Sequence, residues 1–183
     1  MQWKNSQQSY GITAIALHWS SALLVIFMLG LGIYMTDLPD GDPKWGWYGL
    51  HKSIGLLIFM LLILRVIWKR LNTTPPLPNN LKRYEVILAH ASHGLLYLLL
   101  LLIPITGYID SSAGGYHINF FELFDIPTLV EKNKALMEFA AETHEFLAFF
   151  MMGLIVLHIG AALKHHIILK DDVLKRILPF YKQ

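Results

Sequence analysis

The chain has 183 residues, of which 55% are hydrophobic and only 15% are charged. Charged residues make up about a quarter of an ordinary soluble domain, so the composition excludes that class and predicts one membrane domain covering residues 1–183. The absence of cysteine excludes disulfides, iron–sulfur clusters, thiolate zinc sites and c-type haem, and the mild net charge of +2 gives no reason to expect a nucleic-acid partner.

The first two apolar stretches are long enough to cross a bilayer as helices. The first covers about residues 12–35 without a formal charge, which exceeds the roughly 20 residues that a spanning helix needs. The second covers about residues 47–68 and contains Lys52 and Arg65 only near its ends. Their long stems can carry the charges to the membrane interfaces.

Two further spans follow a turn segment that no helix crosses intact, the proline-rich residues 72–80. The third span covers about residues 86–109, and Pro104 is expected to kink it near its far end. The fourth covers about residues 137–169, which is longer than a bilayer requires, so we expect it to tilt or to project into water. The connection between them, residues 111–134, is expected to form a short piece on the membrane surface.

Lysine and arginine are distributed unevenly between the two sides of the predicted bundle. The side that holds both termini carries Lys4, Lys69, Arg70, Lys82, Arg83, Lys164, Lys170, Lys175, Arg176 and Lys182. The other side has Lys44, Lys132 and Lys134, with Lys52 close by, and is rich in acidic residues. By the positive-inside rule both termini are cytoplasmic. The predicted fold class is therefore all-α, an integral membrane four-helix bundle.

Histidines are the main ionisable residues inside these spans, and intramembrane ionisable residues are functional candidates by default. His144 and His158 lie within about 40° of one face of the fourth span and roughly 21 Å apart along it. His51 of the second span matches His144 in depth near the outer surface. His18 of the first span matches His158 nearer the inner surface. Two facing histidine pairs are therefore predicted, one toward each side of the membrane.

Other histidines leave the inner pairing open on sequence grounds. His90 and His93 lie at the same inner level of the third span, where we favour a supporting role, although either can replace a member of the inner pair. His165 lies about 20° from the face of His158, so by depth it too can pair with His18. We read the charged run from Lys170 to Arg176 as the solvated end of a helix.

Facing imidazoles on neighbouring helices suit the six-coordinate iron of a b-type haem, which needs one axial nitrogen on each side. Zinc or copper would want further ligands at the same depth, and no Asp, Glu or Cys inside the spans supplies them. A haem also needs space between helices. Four glycines are candidates for close approach: Gly55, Gly94, Gly153 and Gly160.

Several segments resemble the bacterial cytochrome b561 proteins, small four-helix membrane cytochromes with two b haems. They are ALHW around His18, GLHKSIG around His51, AHASHGLLYLLLLLIPITG in the third span, ETHE around His144, and HIGAALKHHIILKDDVLKRILP at the end. The resemblance covers nearly the whole chain. It implies haem-iron ligation by His18 with His158 on the inner side and by His51 with His144 on the outer side, in a multi-pass protein of the bacterial inner membrane.

The resemblance further implies a quinone site near the inner haem, close to His165 and His166. The activity it implies is superoxide oxidation at the outer face with reduction of ubiquinone on the inner side. Lys52, Lys132 and Lys134 can attract the superoxide anion. Electron transfer at haem edges requires no general base or nucleophile, so no catalytic side chain of that kind is predicted.

Two other functions remain to be distinguished from this one. The chain can be the haem b membrane subunit that relays electrons between quinone and a partner dehydrogenase or hydrogenase, in which case it binds a redox partner protein. A haem-free channel or proton-coupled carrier can instead use the histidines as a relay. The absence of a mid-depth acid and of repeated halves counts against that carrier.

Overall fold

The computed structural model describes residues 2–78 and 81–179 and contains four long helices. They are α1 (Ile12–Thr36), α2 (Asp42–Leu71), α3 (Arg83–Gly114) and α4 (Lys134–Leu163). In hydrocarbon every backbone polar group must be bonded internally, which a continuous helix achieves. All four helices, the last one counted through Leu169, are long and apolar enough to cross a membrane. The predicted membrane four-helix bundle is confirmed.

Local sequence signals account for the helix ends. Pro43 occupies the first turn of α2, where its missing N–H is not needed. Gly115 follows α3 with a φ of 74°, a left-handed conformation that suits glycine. The Asn133 side chain accepts a hydrogen bond of 3.0 Å from the Leu136 N–H at the start of α4. Inside α3, the helix continues through Pro104 to Gly114.

The bundle packs as neighbouring helices around a small apolar core. α3 lies against α4, α1 lies against α2, and α2 also contacts α3. The core contains Ile54, Ile58, Leu62, Leu99, Leu100, Met151 and Leu154. Large apolar side chains on the outside stay exposed, including Phe146 at 69% and Leu157 at 70%. Such a surface is expected where lipid replaces water as the solvent.

The connection between α3 and α4 contains a small hairpin, where the sequence predicted only a surface-bound piece. Strands β1 (Asn119–Phe120) and β2 (Phe124–Asp125) pair antiparallel. Ser53 of α2 holds this hairpin: its Oγ donates to the Asn119 carbonyl at 2.9 Å and accepts from the Phe121 N–H at 3.0 Å. The hairpin therefore rests on the outer end of α2, beside the residues that flank His51.

The end of the fourth span differs from the predicted continuous helix. After Leu163 the chain forms a wider π-helical turn, Lys164–Leu169, and Lys170 then adopts a left-handed φ of 54°. A short 3₁₀ turn follows at Lys175–Ile177. The proposed solvated helix end was wrong in this respect, because the chain turns back at Lys170. Of the segments discussed above, residues 79–80 of the turn segment and Lys182 lie outside the described residues.

Candidate functional site

The outer histidine pair joins α2 and α4. The ring centroids of His51 and His144 lie 6.1 Å apart, with an angle of 67° between the ring planes. His144 Nδ1 lies 2.9 Å from the Ile103 carbonyl and 3.3 Å from Thr106 Oγ1, both on α3. A carbonyl only accepts hydrogen bonds, so Nδ1 is the protonated nitrogen and Nε2 of His144 keeps a free lone pair. His51 Nδ1 is buried with no hydrogen-bond partner among the described residues.

Two glycines give the outer rings their space, and neither was among the four that the sequence singled out. A Cβ on Gly107 would lie 3.0 Å from both Cε1 and Nδ1 of His144. A Cβ on Gly32 would lie 3.6 Å from Cε1 of His51. At Gly94, Gly153 and Gly160 an added Cβ meets nothing described within 4 Å, and at Gly55 it meets only the Met28 side chain, at 3.8 Å. At those four positions described protein side chains make no close approach, and room for a haem there stays a prediction.

The inner histidine group joins α1, α3 and α4. The ring centroids of His18 and His158 lie 6.5 Å apart, at an interplanar angle of 56°. His93 also contacts His158, with centroids 5.5 Å apart. His90 is exposed, and its Nδ1 lies 2.7 Å from the Val86 carbonyl of its own helix. The structure thus brings the His93 ring into contact with His158, whereas His90 bonds a carbonyl of its own helix; both residues are exposed.

The separations within the two pairs can be tested against a metal with two axial imidazoles. Metal–nitrogen bonds of about 2.0 Å and the size of an imidazole ring place the two centroids about 6.3 Å apart. The measured 6.1 Å and 6.5 Å fit this value, whereas the 5.5 Å between His93 and His158 is shorter. Within residues 2–78 and 81–179 no three His, Asp or Glu side chains form a metal-binding group. The donor sets present are therefore pairs of imidazoles, which fit the two axial positions of a b-type haem.

A guanidinium lies beside the inner pair. Arg65 Nη2 is 3.4 Å from His18 Nδ1, and the Arg65 Cζ lies 5.3 Å from the centre of the Tyr97 ring. Lys69, one turn further along α2, places its Nζ 5.1 Å from the same ring. No carboxylate of the described residues lies within 4 Å of either cation. Positive charge therefore faces the inner histidines, and the sequence analysis had treated Arg65 only as an interfacial residue.

The two histidines proposed for quinone binding have different environments. His165 has a side chain only 13% exposed, and its Nδ1 lies 2.6 Å from Oδ2 of Asp171, which is 8% exposed. His166 is exposed. Asp171 was assigned to a solvated helix end, and its burial overturns that assignment. The spacing KHHIILKD gives no signal for this contact, because the π-helical turn shifts the helical register on which the prediction relied.

The three lysines proposed for the superoxide entrance also lie in different environments. Lys52 Nζ donates to the His117 carbonyl at 2.9 Å and lies 5.8 Å from the centre of the Tyr116 ring. Lys132 lies over Gly115 and lines an outer cavity of about 470 Å³ that includes His117. Lys134 is 84% exposed and forms a 3.5 Å ion pair with Glu138.

An acidic residue that the sequence analysis counted only among the outer acids lies near this region. Asp110 of α3 interacts electrostatically with both His144 and Lys52. The outer pair is therefore flanked by one carboxylate and one ammonium group.

Comparison with known proteins identifies relatives along almost the whole chain. The family model of the prokaryotic cytochrome b561 proteins matches residues 9–180. The chain is 42% identical to "Cytochrome b561 homolog 2" of Escherichia coli (strain K12), over 97% of this chain and 95% of that protein. It is 31% identical to "Probable superoxide oxidase CybB" of Yersinia pestis, over 94% of this chain and 97% of that protein. It is 29% identical to "Cytochrome b562" of Cereibacter sphaeroides, over 94% of this chain and 96% of that protein.

Proposed function

The chain belongs to the prokaryotic cytochrome b561 family, and from that premise we propose that it is a two-haem superoxide:ubiquinone oxidoreductase. Membership itself makes the chain a multi-pass protein of the bacterial inner membrane that carries out transmembrane electron transfer with b-type haem. The number of haems, their ligands, the electron donor and the electron acceptor belong to the proposal. So does the orientation with both termini in the cytoplasm, which the excess of Lys and Arg on that side supports.

The two histidine pairs are the observation that carries the proposal. In it His51 and His144 hold the outer haem b, and His18 and His158 hold the inner one. Haem b, when bound, would supply the one-electron redox chemistry. Ile103 and Thr106 orient His144, and Gly107 leaves room for its ring.

On the outer side the proposal assigns attraction of the substrate to the lysines. Lys52 lies next to His51 in sequence and, with Lys132, contributes positive charge near the Gly115–Tyr116 segment. Lys134 contributes only a long-range field, because it is exposed and paired with Glu138. Each superoxide anion loses one electron and leaves as dioxygen, so two superoxide anions supply the two electrons that one ubiquinone needs.

On the inner side the proposal places ubiquinone near His165 and His166. Reduction to ubiquinol consumes two protons with the two electrons, and an imidazole titrates in the range where it can donate one of them. His165 is the better-placed donor because its ring is partly buried and held by Asp171, whereas His166 is exposed. The Arg65 guanidinium beside His18 would favour the reduced form of a haem held by the inner pair.

Haem content provides the first test. The detergent-solubilised protein is expected to bind two b haems per chain, and His51→Ala or His18→Ala is expected to bind one. His90→Ala is the matched control, because His90 is exposed and bonds only to its own helix. A His51→Ala protein that retains two haems would refute the outer ligand pair.

The activity is tested by supplying superoxide enzymatically and following the reduction of a short-chain ubiquinone. His165→Ala is expected to slow quinone reduction while leaving the haem content intact, and loss of haem in that variant would instead make His165 a ligand. Lys52→Gln is expected to lower the rate with superoxide more than Lys134→Gln does, and the difference should shrink as salt is added.

A second function is favoured by one observation, the acidic first outer loop. Asp37, Asp40 and Asp42 repel a small anion, and only Asp40 is paired with a lysine within the described loop, at 3.1 Å to Lys44. In this alternative the protein relays electrons between quinone and a partner dehydrogenase or hydrogenase. A two-haem protein that reduces quinone with a chemical reductant but not with superoxide would support it, as would co-purification with a large soluble subunit.

A further inference from the structure

The proposed function makes His165 a proton donor but assigns no role in proton transfer to Asp171, the residue that contacts its ring. Nδ1 of His165 lies 2.6 Å from Oδ2 of Asp171, and the side chains are 13% and 8% exposed. A contact this short between largely buried groups is a charge-assisted hydrogen bond when the imidazole is protonated. Elsewhere at this end, Asp172 bonds Lys175 at 2.9 Å and is 59% exposed. Two adjacent aspartates thus have opposite environments.

The backbone fixes the Asp171 carboxylate against the ring. The π-helical turn ends at Lys170 in a left-handed conformation, and the Asp171 N–H then donates to the His165 carbonyl at 3.1 Å. The other carboxylate oxygen, Oδ1, accepts from the Val173 N–H at 3.0 Å. Both oxygens are therefore occupied, one by the backbone and one by the imidazole. Interrupting an α-helix with a π turn is a device found frequently at functional sites.

The segment that carries Asp171 is tied to the rest of the bundle. Trp19 Nε1 of α1 donates to the Ile177 carbonyl at 2.8 Å, and Arg176 donates to the Pro76 carbonyl at 2.8 Å. The start of the π turn is held by an ion pair of 2.8 Å between Lys164 and Glu85 of α3. Glu85 also interacts electrostatically with His165. It is already bonded to Lys164, so Asp171 is the carboxylate that contacts the imidazole.

We propose that Asp171 is a positioning residue that holds the imidazole of His165 with its proton on Nδ1 and its Nε2 available to donate a proton to the bound quinone. This rests on the proposed function, which supplies the quinone and the electrons. An acceptor on one ring nitrogen fixes the tautomer and the orientation of the other. Asp171 itself does not touch the substrate and acts only through the ring of His165.

The proton and electron balance is simple. Ubiquinone receives two electrons from the cytochrome and two protons, and becomes ubiquinol. One proton leaves Nε2 of the His165 imidazolium as a quinone oxygen becomes a hydroxyl group. The neutral ring keeps its proton on Nδ1, where it stays hydrogen-bonded to the Asp171 carboxylate. The second proton comes from water. The ring then takes a proton from the cytoplasmic solvent at Nε2, which restores the starting state.

A double-mutant cycle tests this assignment on the haem-loaded protein. The wild type, Asp171→Asn, His165→Gln and the double variant are reduced with dithionite and mixed with a short-chain ubiquinone, and reoxidation of the b-type absorption band is followed. Asn keeps the size of Asp and can still accept from the Val173 N–H, but its amide favours the wrong tautomer of His165. Asp172→Asn is the matched control, because it removes an exposed carboxylate one residue away.

The expected result is a rate reduced about 10- to 100-fold in Asp171→Asn, the scale of a proton-transfer contribution. The double variant should be no slower than His165→Gln alone, since Asp171 acts through that ring. Asp172→Asn should match the wild type, and Asp171→Glu should recover part of the rate.

Two results would overturn the inference. Rates for Asp171→Asn equal to those of Asp172→Asn, or rate losses that add in the double variant, would leave Asp171 with a purely structural role. A fall in thermal stability with an unchanged rate of quinone reduction would lead to the same conclusion. A wild-type protein that does not reduce quinone at all would instead refute the proposed function and this assignment together.

Discussion

Replacing Gly107 by Ala is a direct test of the outer haem site, because it adds one methyl group against a proposed ligand. The new Cβ would lie 3.0 Å from Cε1 and Nδ1 of His144, whereas ordinary carbon contacts begin near about 3.5 Å. The ring has to move by about half an ångström. Its Nδ1 is held by Ile103 at 2.9 Å, so the movement weakens that bond or changes the position of the ring relative to His51.

The size of the effect follows from two opposing contributions. Overpacking a filled site costs about 1–3 kcal/mol, while exchanging Gly for Ala inside a helix returns up to about 1 kcal/mol. The overpacking displaces the His144 ring, so the binding free energy of the outer haem should weaken by about 1.4 kcal/mol, which is a tenfold loss of affinity. The expected protein is folded, keeps the inner haem and binds the outer one incompletely.

The assay follows the reduced-minus-oxidised visible spectrum as the protein is diluted in detergent. Extracted haem is quantified per chain in the same samples. Gly153→Ala is the matched control, because its Cβ meets nothing described within 4 Å and should leave both haems in place. A Gly107→Ala protein with two haems per chain and an unchanged outer potential would refute the reasoning. It would mean that the His144 ring does not lie against Gly107.

Three further predictions concern other parts of the molecule. Arg65→Met should lower the midpoint potential of the inner haem alone, because the guanidinium near His18 favours the reduced state of that haem. A potentiometric titration measures the potential, and Arg70→Met is the control. Ser53→Ala should detach the hairpin from α2, lower the free energy of unfolding by about 1–3 kcal/mol and speed amide exchange in residues 117–121. Unchanged exchange would contradict the proposal that Ser53 holds the hairpin. The Lys175 hydrogen bond holds the pKa of Asp172 below its ordinary value, so this ion pair adds a little to the free energy of unfolding above about pH 4. That contribution is lost as pH falls through the folded-state pKa. The melting temperatures of wild type and Asp172→Asn should therefore converge in acid.

Features that depend on local composition were predicted well. A charge-free run longer than the bilayer has to form a helix, because no other structure satisfies its backbone in lipid. The depth of each histidine followed from the fixed rise of a helix, which matched His51 with His144 and His18 with His158 before any neighbour was known. The structure brings the same residues together, at 6.1 Å and 6.5 Å between ring centroids.

Features that depend on neighbours were not predictable in this way. The sequence left His90 and His93 equivalent. Only the packing of α3 against α4 brings the His93 ring to His158, whereas His90 bonds the Val86 carbonyl of its own helix. Close approach at Gly107 likewise depends on where α4 places a side chain. Glycine content alone did not single out Gly32 and Gly107, because small residues are common wherever membrane helices pack.

The sequence by itself determined that this is a four-helix membrane protein with histidines at two depths, since hydropathy, charge and helical rise are properties of the chain alone. The tertiary structure decided which side chains meet. The burial of Asp171 against His165 is the clearest case, because a π-helical turn and a left-handed Lys170 redirect a segment that a regular helix would have carried into water. That contact joins residues six positions apart across a reversal of the chain, and no periodic pattern encodes it.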